Sequence, residues 1–208
     1  MSYDGTSIAH TETSEQWLHV PNRARRNEQM TSEHALTLSF AHGSADELTT
    51  GAQLLTLLRR HDLSRWRFTT DIHIDRQAIP HSHPTLTLHT RHLDDDGLLL
   101  ATYLHEQLHW FVVGRQTGLQ QAIAALQACY PHPPVGYPQG AHDKYSSYVH
   151  YVVCYLEREA LLAVVGPTET ARIFTFWRHD HYTDIYTAVM TDADAIGEIV
   201  TQFVSTPQ

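Results

Sequence analysis

The sequence is poor in the features that stabilise secreted mini-proteins or anchor chains in lipid. Cys129 and Cys154 are its only two cysteines, and they form neither Cys-x-x-Cys spacing nor a disulfide framework, so both are expected as small buried apolar side chains. No apolar run approaches the length of a membrane span, and Met1-Ser2-Tyr3-Asp4-Gly5 has no basic start leading into an apolar core. The expectation is a cytoplasmic protein with no membrane partner. Charge is scarce too: 18% of residues are charged, and 23 Asp and Glu against 14 Lys and Arg give a net charge of -9. That balance repels a phosphate backbone, so no nucleic-acid partner is expected. Internal repeats and low-complexity tracts are absent.

What the chain has in excess is histidine, 17 in 208 residues. Neutral imidazole is the commonest protein ligand for zinc. With 42% hydrophobic residues the chain can bury one core and does not demand two. Residues 1–34 lack apolar periodicity and are expected to form a flexible arm, in which Trp17, Leu18 and Val20 can dock locally. Residues 35–208 are expected as a single domain. Its class is α+β, with a small mixed sheet of three or four strands in the N-terminal half and mostly helix after residue 97.

Local signals place the elements. Strand-like residues at 36–40 precede Ser44-Ala45-Asp46-Glu47, a capping box opening a helix that ends near His61-Asp62. Segments 67–74 and 85–90 alternate apolar and polar residues around Pro80-His81-Ser82-His83-Pro84, predicting a hairpin-like or sheet-edge pair. Asp94, Asp95 and Asp96 suit the positive end of a helix over 98–113, closed by Gly114. Helices follow around 119–128 and over 145–165, the latter stopped by Gly166-Pro167, which opens another through Phe176-Trp177. The proline-rich stretch 130–138 can only be irregular, and a last helix covers 193–203.

His105-Glu106-Gln107-Leu108-His109 carries the chemistry. Four-residue spacing puts both imidazoles on one helical face within reach of a single ion, and Glu106 beside the first can face a water on that ion. Zinc lowers the pKa of bound water toward about 7, and a carboxylate then takes the proton as the oxygen attacks a carbonyl. Among so many histidines the pattern can arise by chance, so context decides. Leu98, Leu99, Leu100, Leu104, Leu108, Trp110, Phe111 and Val112 make this helix apolar nearly all round and hence buried. Buried polar groups need partners, and one cation serves all three. For the third ligand, His150 and Glu157 lie seven residues apart on one face of a later helix, and periodicity does not choose between them.

At these residues the sequence resembles the zincin metallopeptidases of gluzincin type, and the block from Pro80-His81-Ser82-His83-Pro84 through His105-Glu106-Gln107-Leu108-His109-Trp110 is similar to a group of uncharacterised bacterial proteins. The resemblance implies a zincin-like catalytic domain over 35–208, with Thr85 to Thr90 as the edge strand that pairs with an extended substrate. It implies a zinc-dependent hydrolase acting on a peptide or amide, with Zn2+ held by His105, His109 and Glu157. Glu106 is then the catalytic base, and His150 the catalytic donor to the developing oxyanion. Lethal-factor-type peptidases have tyrosine seven residues before the ligand glutamate, where this sequence has His150. His150 as ligand, with Glu157 orienting an imidazole, is the alternative. His181 or Tyr182 would supply a further donor, as a late histidine does in thermolysin-like enzymes. A zinc enzyme acting on a small molecule, as amidase or lyase, and a non-catalytic binding scaffold are the competing functions.

Overall fold

A computed structural model describes residues 36–205 and Pro207; the expected arm over residues 1–34 lies outside the described residues. Strand β1 (Thr37–Phe40) leads into helix α1 (Ala45–Arg60). The capping box forms as expected: the Glu47 amide donates to Ser44 Oγ, and the Glu47 carboxylate accepts from the Ser44 amide at 3.0 Å. Leu54 and Leu57 turn the buried face of α1 inward.

Strands β2 (Asp71–Ile74) and β3 (Leu86–Leu88) complete a sheet ordered β1-β2-β3, with both pairings parallel. This corrects the expected mixed sheet and the hairpin-like pairing, while the sheet-edge alternative holds, since β3 lies at the edge of the sheet. The antiparallel partner of β3 is not β2 but the proline-bounded turn itself: the His81 amide donates to the Thr87 carbonyl at 3.1 Å and the Thr87 amide to His81 at 2.8 Å. The strand expected over 67–74 is also shorter, because the Phe68 and Thr69 amides donate to Gln107 Oε1 at 2.7 and 2.9 Å instead of to a neighbouring strand. Gln107, inside the histidine motif and fully buried, thus ties the entry of β2 to the motif helix.

That helix, α2 (Asp96–Val113), starts where the Asp95 side chain accepts from the Leu98 amide at 2.9 Å and stops at Gly114. Helix α3 (Gln116–Cys129) follows, then the irregular segment and α4 (Lys144–Trp177), which breaks at Gly166 (φ 79°, ψ 174°) before Pro167 as the sequence predicts. Two short helices close the described chain, α5 (Thr183–Thr191) and α6 (Ala193–Phe203). Helix α5 was not expected, and its first residues carry no side-chain cap. Cys154 is buried, whereas Cys129 is exposed, against expectation.

The core joins Leu86 and Leu88 of the sheet to Leu104 and Leu108 of α2 and to Val152, Val153 and Leu156 of α4. The fold is α+β, and α2 and α4 face each other across its centre with their polar residues enclosed. No described helix is long and apolar enough to cross a membrane.

Candidate metal centre

His105 and His109, one turn apart on α2, bring their Nε2 atoms within 3.2 Å of each other. From α4, His150 closes the group: one nitrogen from each of the three rings lies within 4.8 Å of the others. Hydrogen bonds select the tautomers. Nδ1 of His150 lies 2.7 Å from the Ser146 carbonyl, which can only accept, so this nitrogen carries the proton and Nε2 keeps its lone pair. Nδ1 of His105 lies 2.9 Å from Glu157 Oε2, which leaves its Nε2 as the free acceptor.

Glu157 meets the His105 ring at the nitrogen opposite the one that approaches His109. Of the two candidates that the sequence leaves open for a third ligand, His150 shares a compact group with His105 and His109, and Glu157 contacts His105 alone of the two motif histidines. Its Oε2 also accepts from the Tyr186 hydroxyl at 2.9 Å, while the buried Oε1 has no partner among the described residues. A second group joins His105 and Glu157 to the buried Cys154, and within it His105 Nδ1 and Glu157 Oε2 are already hydrogen-bonded at 2.9 Å.

Electrostatics favour a cation at this point. Burial holds the imidazoles neutral, lowering His105 to about 4 and His150 to about 3, with His109 well below its ordinary value for the same reason. Burial raises Glu157 to about 8 against the lowering effect of the Tyr186 hydrogen bond. Burial, then the neighbouring Glu157 charge, raises Glu106 to about 8. Glu106 makes no side-chain hydrogen bond among the described residues and lines the same cavity as the three histidines. Three neutral imidazoles with converging nitrogens leave lone pairs facing one another, an arrangement that a cation or a proton between them relieves. These residues fit a divalent ion of zinc type, for which three imidazoles and an adjacent open position are a catalytic arrangement.

The cavity, about 780 Å³, opens along α2 between two walls. One wall is the extended segment from Ile79 to Ser82, held by Trp110 Nε1 donating to the Ser82 carbonyl at 2.8 Å. The other is the segment around Tyr137 and Gly140, whose Pro138 and Gln139 carbonyls accept from the first amides of α5, Thr183 at 2.9 Å and Asp184 at 3.2 Å. This anchorage places Tyr182, in a left-handed conformation (φ 48°), with its ring 4.2 Å from that of His150. His181 is oriented by Asp180 at 2.8 Å, which in turn accepts from Arg91 at 2.6 Å. Both expected late donors thus line the cavity.

Sequence reasoning passed over Ser146, Trp177, Arg91 and His92. Only the first carried a usable signal, because a residue four positions before a candidate ligand on one helix can accept from its Nδ1. The others depend on the turn after β3 meeting the end of α4, a contact between distant parts of the chain. No protein-family model, curated protein or solved structure matches this chain.

Proposed function

We propose that the protein is a zinc-dependent hydrolase of amide bonds, most simply a metallopeptidase, on a zincin-like domain. The carrying observation is the convergence of His105, His109 and His150 beside an unpartnered Glu106 on a cavity floor. We assign the three histidines as the ligand set and Glu157 as the carboxylate that fixes the His105 ring. A bound zinc ion supplies Lewis acidity here, acidifying water and polarising a carbonyl oxygen.

The chain's own groups do the rest. Glu106 would be held ionised by the adjacent cation against the burial that otherwise raises it, and so accepts the proton of the attacking water and passes it to the leaving nitrogen. Tyr182, raised to about 12 by burial, stays protonated and donates its hydroxyl toward the developing oxyanion, with His181 as a second donor held by Asp180. The extended wall beside β3 supports the zincin-like reading, since it lies along the cavity as an edge strand would.

A second reading, a small-molecule amide as substrate, is favoured by one observation. The outer edge of β3 at Thr87 is already bonded to His81, which leaves less free main chain for pairing with a long peptide. Metal analysis of purified protein should find one zinc per chain, and Glu106→Gln should retain that zinc while hydrolysis of a peptide and amide library falls about 10²- to 10⁴-fold. Absence of zinc, or undiminished hydrolysis in the variant, would refute the proposal.

A further inference from the structure

The cavity that holds the three histidines is also lined by Arg91, His92 and Trp177, where the turn after β3 meets the end of α4, and by Thr102, one turn before Glu106 on α2. His92, in the turn between β3 and α2, lines the cavity and is only 6% exposed. Its backbone carbonyl accepts from Gln53 at 3.2 Å, yet its ring makes no hydrogen bond among the described residues. A continuous row of rings connects it to the centre. His92 meets the edge of Trp177 at 5.4 Å, Trp177 meets His181 at 4.9 Å, and His181 meets Tyr182 at 5.0 Å. On the floor of the same cavity lies Thr102, whose hydroxyl donates to the Leu98 carbonyl at 2.9 Å and so presents its lone pairs as acceptors.

We propose that this part of the cavity is a subsite for a neutral hydrogen-bonding group of the substrate, a carboxamide or hydroxyl, read by the His92 ring together with Thr102. The inference deepens the hydrolase reading by naming the substrate's chemical class. Three considerations select that class. The His92 ring nitrogens stay open to solvent in the cavity, and a ligand that displaces this water must supply both a donor and an acceptor in its place. An apolar ligand would leave those nitrogens stranded, and such a mismatch is what makes a polar subsite selective. An anionic ligand finds no free counter-charge there, because Arg91 is already neutralised by Asp180 at 2.6 Å, and Asp180 is likewise occupied against a cationic one. Burial, reinforced by Arg91, lowers His92 to about 4, so the ring is neutral near pH 7 and offers one donor and one acceptor.

The test uses the full chain loaded with zinc and four probes that carry no other amide, the side-chain analogues of glutamine (propionamide), glutamate (propionate), lysine (butylammonium) and leucine (isobutane), followed through the imidazole NMR signals. The glutamine probe should shift the His92 resonance and bind about tenfold more tightly than the leucine probe. That preference should vanish in His92→Leu, shrink in Thr102→Val and largely survive in His92→Gln, with thermal midpoint and zinc content showing that each variant is folded. No response at His92 to any probe, equal binding of all four, a preference for the charged or leucine probes, or an undiminished glutamine preference in His92→Leu would overturn the subsite. Hydrolysis of a peptide library by the same preparation scores the hydrolase reading separately. An inert protein that still discriminates through His92 would lose the proposed function and keep the subsite.

Discussion

Glu47 and Glu157 are both fully buried, and they stand in opposite electrostatic states. Burial alone would raise Glu47, but the His42 ring at 3.0 Å and the backbone amides of Ser44, Arg76 and His42 override it and hold the carboxyl at about 2. Both of its oxygens are fully engaged, Oε2 by two amides at 3.0 Å and Oε1 by the Arg76 amide at 3.2 Å and the His42 ring. Glu157 has two donors on one oxygen and none on the other, and burial raises it to about 8. A buried carboxylate that the fold completes is structural. One that the fold leaves short keeps its proton to higher pH, and near neutral pH its state depends on what else binds beside the three neutral imidazoles.

The comparison breaks first at the ligand set. His150→Ala should abolish stoichiometric zinc binding, whereas Glu157→Gln should keep the metal and weaken its affinity about 10- to 100-fold. The reverse result, read by metal titration, would make Glu157 the third ligand and His150 the accessory group. Glu47→Gln should leave zinc content and turnover per zinc unchanged and lower the thermal midpoint, because a neutral amide cannot accept from four donors as the carboxylate does.

The two regions should also titrate with opposite signs. In chelator-treated protein, folded Glu106 and Glu157 keep protons up to about pH 8 that the unfolded chain releases near the ordinary value of 4.5, so these two groups lower stability as pH rises from about 4.5 to 8. Between 4.5 and 6.5 the histidines His92, His105 and His150 outweigh them, and above 6.5 the fall alone remains. Below the ordinary histidine value of 6.5 the unfolded chain takes up protons that folded His92 and His105 refuse until about 4 and His150 until about 3, so stability falls there too. Denaturant midpoints should therefore peak near pH 6.5, and zinc should flatten the upper slope. Glu47 acts lower down: its contribution is complete above its ordinary value of 4.5 and is lost as pH falls through about 2, a limb that Glu47→Gln should remove.

Much of this was legible in short-range signals. The Ser44-Glu47 box, the acids before α2, Gly114 and Gly166-Pro167 each act within one turn of chain, and each marks a boundary where expected. The paired histidines of α2 were legible for the same reason. The third corner was not, since His150 and Glu157 share a helical face and only the approach of α2 decides which nitrogen or oxygen faces the ion. Helix α5 escaped notice because Tyr182 opens it in a left-handed conformation without a side-chain cap, its place being set by carbonyls of Pro138 and Gln139 more than forty positions earlier. Parallel pairing of β2 with β3 is likewise non-local, and alternation alone reads the same for either direction.

The smallest expected effect isolates how Glu157 is held. Tyr186 sits on α5 with 1% exposure and gives Oε2 its second donor at 2.9 Å. Tyr186→Phe keeps the ring that packs edge-on against Phe174 at 5.2 Å and removes only the hydroxyl. Glu157 then relies on His105 alone, so the imidazole is less firmly oriented and zinc affinity should drop about tenfold or less. The same substitution leaves Glu47 and its donors untouched, so the acid limb of the stability profile should not move. A metal titration unchanged from the parent protein would mean that His105 is positioned by α2 packing and not through the chain of bonds from Tyr186 to Glu157.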